Sequence, residues 1–416
     1  MIQYSINWIK YIHINISMEN KLNHQEIGLK QDLFLPCGDI SPGCWMLLPH
    51  GTRVYNRLLD FIKKEYKNRG FEEVITPIIF KNSLWQTSGH WDKYQDNMFC
   101  LCIDDSNQPD YSICPMNCPK ACWIYNARPR SYRELPLRLA DFSLLHRNEP
   151  SGSLTSLFRL RSFHQDDSHI FCQESEIEKE INGCLDFLDF VYGKFQFDYQ
   201  LELSTRPEQF IGGLELWDQA EQQLSICLNK LGKSWKLNSG DGAFYGPKID
   251  VHVKDSLGRS HQCATIQLDF QLPIRFNLKY IDEKGQPKMP VIIHRAIYGS
   301  FERFLGIITE HYQGQWPFWL NPRQVILLPI SEKFIPYSTI IKDQINRNNY
   351  YVDIDSSDRR LDKKIREAQV AQYNYILVIG QKELDSQTVN VRYRDQKTQK
   401  VMKIDDLLLE LQNIQQ

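Results

Sequence analysis

The sequence predicts an α+β chain in two parts: a large unit of mixed strands and helices, then a small α/β unit. Three observations carry this. Segments at 145–171, 199–210 and 260–281 contain stretches that alternate side chains with the period of two that strands require. Segments at 52–69 and 291–312 place apolar residues at helical spacing. From Val325 the order becomes strand, helix, strand, helix, strand, then a further strand and a last helix over roughly 95 residues, the pattern of a separate α/β unit.

Size and composition agree. The 416 residues suffice for one domain of about 300 and one of about 100. Hydrophobic content is 42% and charged content 24%, both ordinary for a globular enzyme. The net charge of −2 means that contact with nucleic acid relies on local basic patches rather than a bulk basic field. Eleven cysteines, an odd number without framework spacing, read as reduced thiols. No run of about 18 apolar residues exists, so neither a transmembrane helix nor a membrane partner is expected.

The elements follow in order. MIQYSINWIKYIHINIS, at 1–17, has one Lys and no Arg and fits a mitochondrial transit segment poorly. It reads as part of a disordered tail over 1–23, or as an upstream start with Met18 as the true first residue. SPGCWMLLPHG, at 41–51, is turn-rich and predicts a hairpin. In 52–69, Val54, Leu58, Phe61, Ile62 and Tyr66 line one helical face and Gly70 closes the helix. FEEVITPIIF, at 71–80, predicts a strand whose Pro77 confines it to an edge or interface. An aromatic-rich segment surrounds Gly89–His90–Trp91. Cys114 and Cys118, four apart, are either half of a metal site or plain buried hydrophobes. A helix is expected over 174–198, a strand from 199, a helix over 215–231 and a Gly-rich turn in 238–253. A strand follows from 260. The segment 291–312 runs from strand into helix, with Ile297, Phe301, Phe304 and Ile308 on one face.

The stretch 145–171 carries the chemistry. It reads as two strands joined by a polar loop at 150–156. Alternation puts Arg159, Arg161, Phe163, Gln165, Asp167 and His169 on one face of the second strand, over roughly 33 Å at ~3.3 Å per residue. In the first, Arg147 and Glu149 share a face. Cations, a ring, an amide, a carboxylate and an imidazole on one face suit the floor of a site for a long ligand, anionic at one end and amine-bearing at the other. The alternative is a solvated edge strand with mixed charges.

PMNCP, HRNEPSGSL, QDDSHIF, FYGPKI, QLDF and HRAIYGSFERF, in this order, together resemble the class II aminoacyl-tRNA synthetases of the threonyl type, from about residue 24 to the end. ITP at 75–77 resembles the dimer-forming motif 1, 145–171 motif 2, and 298–306 motif 3. LLPISEK, KIREAQ and VIGQKE resemble the family's anticodon-binding domain. The resemblance implies an antiparallel sheet flanked by helices over 24–320, and an anticodon-binding α/β domain over 321–416. It also implies a homodimer that uses ATP with Mg²⁺, L-threonine and tRNA(Thr), located in the cytoplasm or alternatively in the mitochondrion.

The resemblance also assigns residues. Cys118, His169 and His294 match three zinc ligands, one zinc per chain, leaving a fourth position for substrate. Asp167 matches the acceptor of the threonine hydroxyl proton. Such a site rejects valine far better than an apolar pocket can. Arg147 matches the arginine bridging the amino-acid carboxylate and the α-phosphate. Arg159 and Arg303 match the γ-phosphate arginines, and Glu149 and Phe163 the residues that bond and stack adenine. Gln165, Tyr245, Lys248, Gln262, Thr265, Gln267 and Ser300 fall at positions lining the threonine and ATP pocket. His90 matches a histidine of the transfer step. Arg366, Glu383 and Arg392 match anticodon-side contacts.

Departures stand beside the matches. Lys120–Ala121 replaces a usual Gly–His, and Ser162 and His164 replace Gly and Thr. Ala264 replaces Gly, and Asp358 and Asp362 replace Asn and Gly. By alternation Ser162 and His164 face away from the ligand, whereas Lys120 and Ala264 lie nearer the pocket. The family's ubiquitin-like and editing domains have no counterpart here, so seryl-tRNA that this chain cannot clear is expected. A rival reading is a synthetase-derived paralogue that binds tRNA or regulates with little charging. The presence of all three arginines and all three metal-type ligands favours the enzyme. Specificity for serine or proline, a third reading, needs no zinc triad, so metal content discriminates.

Overall fold

The computed structural model describes residues 21–102, 110–255, 258–396 and 398–415. Most of the expected tail, including Met18, lies outside the described residues. Helix α1 (His24–Lys30) opens on a capping box. Asn23 accepts from the N–H of Glu26, and the Glu26 carboxylate accepts from the N–H of Asn23. Strands β1 (Phe34–Pro36) and β2 (Trp45–Leu47) pair as an antiparallel hairpin. Helix α2 (Pro49–Asn68) starts at a proline, whose missing N–H is no loss in a first turn. The segment 41–51 therefore supplies only the turn and second strand of the hairpin, and then the start of the helix.

The expected single strand over 71–80 is two. β3 (Glu72–Val74) joins the main sheet, while Ile79–Lys81 joins a separate three-stranded sheet. Pro77 sits between them, where no N–H is available for a ladder. Helix α3 (Cys118–Asn126) follows, then β4 (Leu137–Asp141). β5 (Leu144–His146) and β6 (Ser162–His164) form an antiparallel pair.

The expected continuous strand through 159–169 is also broken. A helical turn, Ser156–Phe158, precedes β6, and β7 (Asp167–Cys172) belongs to a different sheet. The break has a visible cause at Asp166. Its carboxylate turns inward and accepts from the backbone N–H groups of Ile297 (2.8 Å), Tyr298 (3.0 Å) and Gly299 (2.9 Å). Arg161 leaves the ligand face, donating instead to the Glu149 and Pro42 carbonyls and to Ser151 Oγ.

Helix α4 (Ile177–Phe195), β8 (Tyr199–Ser204), helix α5 (Leu214–Leu231), β9 (Trp235–Asn238), β10 (Lys248–Lys254), β11 (Ser260–Asp269), β12 (Val291–Ala296) and helix α6 (Phe301–Tyr312) complete the large unit. The eight-stranded sheet runs β9–β8–β10–β11–β12–β7–β4–β3. Its pairings are antiparallel except at the two edges, where β9 and β3 join in parallel. One face packs on α4, α5 and α6 through Ile170, Ile293, Ile266, Leu185, Leu188, Leu224 and Phe304, all buried. The other face carries a second apolar cluster, Leu139, Phe171 and Ile292 against Ala121, Cys122 and Tyr125 of α3, with polar groups beside it.

The last unit has a five-stranded sheet of β13 (Val325–Pro329), β14 (Val352–Ile354), β15 (Tyr375–Ile379), β16 (Thr388–Tyr393) and β17 (Gln399–Lys403). The order is β14–β13–β15–β16–β17. The first three strands are parallel and the last two antiparallel. Helices α7 (Ile335–Arg347) and α9 (Ile404–Gln415) cover one face, and α8 (Leu361–Val370) packs Ala368 against Ile326, Leu328 and Ile376 on the other. Strand β17 and a short helix, Gln381–Ser386, were absent from the sequence expectation.

Candidate active site

Cross-strand register builds the site. On the open face of the main sheet, His169 of β7 pairs with His294 of β12, His294 with Gln267 of β11, and Gln267 with Lys248 of β10. Directly paired residues project to the same side, so four expected site residues form one row across four strands. The neighbouring row holds Asp141, Asp167, Ala296, Thr265 and Asp250. Alternation along the strands then puts Ile170, Ile266 and Ile293 on the side covered by α4, α5 and α6.

Two adjoining pockets lie over these rows. One, about 310 Å³, is lined by His90, Met116, Cys118, Arg147, Gln165, Asp167, Tyr245, Thr265, Gln267 and His294, among others. The second, about 360 Å³, is lined by Arg147, Glu149, Arg159, Phe163, Gln165, Gln262, Thr265, Ser300 and Arg303. Arg147, Gln165 and Thr265 belong to both. The arrangement is one cleft with a thiol and imidazole end, an arginine end, and Arg147 at the waist.

At the first end, Cys118, His169 and His294 present ligand atoms all within 4.8 Å of one another, and all three residues are buried. The donor set fits a metal. His294 Nε2 lies 2.8 Å from Asp269 Oδ2, so its Nδ1 is directed elsewhere and has no hydrogen-bond partner; His169 Nε2 has none either. A carboxylate holding the far nitrogen of a ligating histidine is the usual outer support of such a site. Burial raises the Cys118 thiol well above its ordinary range, so a thiolate here calls for a cation beside it. Cys114 does not take part, since its thiol donates to the Met116 carbonyl at 2.9 Å.

Asp167 is buried beside this group. Burial pushes its carboxyl up to about 6, with His294 opposing the rise. The Tyr245 ring lies tilted at 52° to the His294 ring, with centroids 5.6 Å apart. His90 is buried between Ser88 Oγ, 2.8 Å from its Nδ1, and the rings of Phe244 and Tyr245. Its Nε2 is unpaired, and burial pushes its pKa down to about 3, so the ring is neutral in ordinary buffers.

At the second end, three guanidinium groups converge. Arg159 pairs with Glu149 at 2.8 Å. Arg303 donates to the carbonyls of Phe158 and Gln262, both at 2.9 Å. Arg147 lies 5.0 Å over the Phe163 ring and donates to the Pro115 carbonyl at 3.2 Å. Arg147 and Arg159 both add to the desolvation that disfavours charge on Arg303, which is the electrostatics of an anion site. Ser300 caps α6, accepting from the N–H of Arg303 at 3.2 Å. Lys248 pairs with Asp250 at 2.7 Å, and Gln267 donates to the Gly246 carbonyl at 3.1 Å.

The anticodon-side candidates are not gathered at one place. Glu383 accepts from the N–H of Gly380 at 2.9 Å, closing the start of its own short helix. Arg392 lies on β16, paired with Ile376. Arg366 lines a cleft against Lys30 and Asp32 of the large unit, which neither Glu383 nor Arg392 lines. Sequence reasoning missed Asp166 and Asp269. Asp269 was within reach, because it shares the face of Gln267 on β11 by alternation.

Comparison with known proteins bears on this cleft. The family profile described as "tRNA synthetase class II core domain (G, H, P, S and T)" matches residues 101–312, and that described as "Anticodon binding domain" matches 324–414. The chain is 53% identical to threonine–tRNA ligase 1, cytoplasmic, of Homo sapiens over 396 residues, covering 95% of this chain and 54% of that protein. It is 53% identical to threonine–tRNA ligase, mitochondrial 1, of Arabidopsis thaliana over 402 residues, covering 96% of this chain and 56% of that protein. The chain thus spans about half the length of these relatives. A crystal structure titled as the RNA binding domain of threonyl-tRNA synthetase from Cryptosporidium parvum Iowa II superposes with a TM-score of 0.91 at 48% identity, over 94% of this chain and 98% of that one.

Proposed function

The chain belongs to the class II aminoacyl-tRNA synthetases of the threonyl type, and from that premise we propose that it activates threonine with ATP and transfers it to the 3′ end of tRNA(Thr). The observation that carries this reading is the single cleft with a Cys–His–His end, an arginine end and Arg147 shared between them. Amino acid and nucleotide bound in the two halves would meet at Arg147.

The first step joins a threonine carboxylate oxygen to the α-phosphorus of ATP and releases pyrophosphate. Arg147 orients both oxyanions with its planar fork and offsets charge developing between them. Arg159 and Arg303 hold the γ-phosphate with Mg²⁺. Glu149 and Phe163 take the adenine, with Glu149 exchanging part of its Arg159 pairing for the ring. Gln165, Tyr245, Lys248, Gln262, Thr265, Gln267 and Ser300 fix the two substrates within the cleft. Asp167 accepts the substrate hydroxyl. Cys118, His169 and His294 would hold one zinc ion, which when bound supplies a Lewis-acid attachment for the amino group and hydroxyl of the amino acid. In the second step the tRNA terminal hydroxyl attacks the activated carbonyl and AMP leaves, with neutral His90 beside the reacting end. Glu383 and Arg392 engage the anticodon side, and Arg366, set apart in the cleft against the large unit, adds a basic contact.

Serine offers the same amino and hydroxyl pair, and one missing methyl is worth only about 1–3 kcal/mol, so it is a weaker substrate. Dimerisation is supported by the exposed apolar residues Ile75, Ile78 and Ile79, in the segment that leaves β3 and enters the next strand. Relatives named for the cytoplasm and for the mitochondrion both match, and we place this chain in the cytoplasm. Among the described residues no helix is long and apolar enough to cross a membrane.

The test is amino-acid-dependent ATP–pyrophosphate exchange with threonine, serine, valine and proline, before and after chelation. Exchange strong with threonine, weaker with serine, absent with valine and lost on chelation is expected. Exchange with none of them by the metal-loaded chain refutes the reading.

A further inference from the structure

We propose that Lys120 is a positioning residue for the amino-acid half of the cleft. Its ammonium serves as counter-charge to two carboxylates that face each other across adjacent strands, Asp141 and Asp167, and so keeps Asp167 aimed at the substrate. The inference rests on the reading of Asp167 as the acceptor of the substrate hydroxyl.

Lys120 stands in the first turn of α3 and is 2% exposed. Lysine is rarely buried so fully unless its charge is matched. Its Nζ lies 3.4 Å from Asp141 Oδ2 yet forms no hydrogen bond of good geometry. Among the described residues it is the one cation within 4.0 Å of Asp141. The contact is therefore one of charge rather than of directed bonding.

Asp141 does not need Lys120 as a hydrogen-bond donor. Thr76 Oγ1 donates to it at 2.6 Å, the N–H of Ser143 donates at 3.0 Å, and Ser143 Oγ donates as well. These bonds anchor the carboxylate from the 75–77 segment and from the turn after β4. What they leave unanswered is its charge, because Asp141 is the direct cross-strand partner of Asp167. Like charges directly opposite on a sheet repel, and both carboxylates are buried, where screening is weak. Of this trio only Asp167 lines the amino-acid pocket. Lys120 and Asp141 stand behind it. Remove the cation, and Asp141 pushes Asp167 out of its aim while adding a negative charge behind a pocket that must admit a substrate carboxylate.

The test uses K120M, which keeps length and apolar bulk but removes the charge, and the K120M/D141N double variant, which removes both charges. Pyrophosphate exchange is measured with threonine and ATP varied separately, alongside zinc content and thermal unfolding. The expected result is a threonine KM raised about tenfold in K120M, an ATP KM within about twofold of the unaltered chain, and a threonine KM restored to within about threefold in the double variant. Zinc content stays unchanged in both. A purely structural lysine would not give this split and rescue. An unmoved threonine KM in K120M overturns the inference alone, as does a raised KM that D141N fails to restore. If K120M does not fold, a double variant that folds with near-normal threonine KM supports the proposal, and one that folds with a raised KM, or does not fold, overturns it. No threonine-dependent exchange by the unaltered chain would overturn the proposed activity, and this inference with it.

Discussion

Asp166 and Asp167 are adjacent in sequence and opposite in role. Asp167 lines the pocket, whereas Asp166 turns inward and binds three consecutive backbone N–H groups of the turn at 297–299. Burial pushes the Asp166 carboxyl up to about 7 and hydrogen bonds to a charged group are worth about 1.5–3 kcal/mol each, so Asp166→Ala should lower the free energy of unfolding by roughly that amount or more in urea transitions read above pH 7. At the metal-type cluster, Asp269 fixes the ring of His294 without entering the first set of ligands. Asp269→Asn should weaken zinc binding by about 10- to 100-fold, read by competition with a chromogenic chelator. His50, at the start of α2, is half-buried near Arg323 and Arg53, and burial lowers its pKa from 6.5 to about 4. Between these values the folded chain binds fewer protons at this site than the unfolded one. Its contribution is therefore fully present above pH 6.5 and lost as pH falls toward 4. His50→Gln should flatten the decline in urea midpoint between pH 7 and pH 4.5.

At the scale of elements, the turn from β12 into α6 brings Ser300 and Arg303 to the arginine end of the cleft. Gly299 makes that turn possible. Its φ is +73°, and a Cβ there would sit 2.4 Å from the Cys263 carbonyl oxygen, which is backbone and cannot swing away. Gly299→Ala should cut pyrophosphate exchange by about 10²-fold or more, because displacement of a positioning element by about 1 Å has that effect. Far-ultraviolet circular dichroism should change little. The long helices α2, α4, α5 and α6 were legible in the sequence because periodicity is a local property, whereas β10 overlaps the expected Gly-rich turn and β4, β9 and α3 were not expected. The interruption between β6 and β7 was not legible, because the partner that draws Asp166 inward lies 131 residues away.

Across the whole molecule, α2 ties the two units together. Arg53 donates to the Pro322 carbonyl at 2.9 Å and pairs with Asp353 at 3.4 Å, Arg57 donates to the Asn349 carbonyl, and both guanidinium groups stack on Tyr351. On the proposed function, a tRNA held at both ends would profit from this fixed separation as an increased effective concentration of its acceptor end at the cleft. The double variant Arg53→Ala/Arg57→Ala should leave pyrophosphate exchange within about twofold while lowering kcat/KM for tRNA charging by about tenfold. Equal losses in both assays would place the effect in the large unit instead.

Local pattern alone determined the two-unit organisation, the strands that carry Asp167, His169, Gln267 and His294, and through motif order the family. Each of these depends on residues near one another in the chain, or on short words whose order survives any folding. Only the tertiary structure decided which faces those strands share. Strand register, a relation between distant segments, places His169, His294, Gln267 and Lys248 in one row and sets Asp141 against Asp167. It also decided that Arg161 leaves the cleft, that Arg366 faces the large unit, and that Lys120 is buried. In a lone strand or helix the side chain of each of these residues is free to meet solvent, and burial exists only once a second element arrives to cover it.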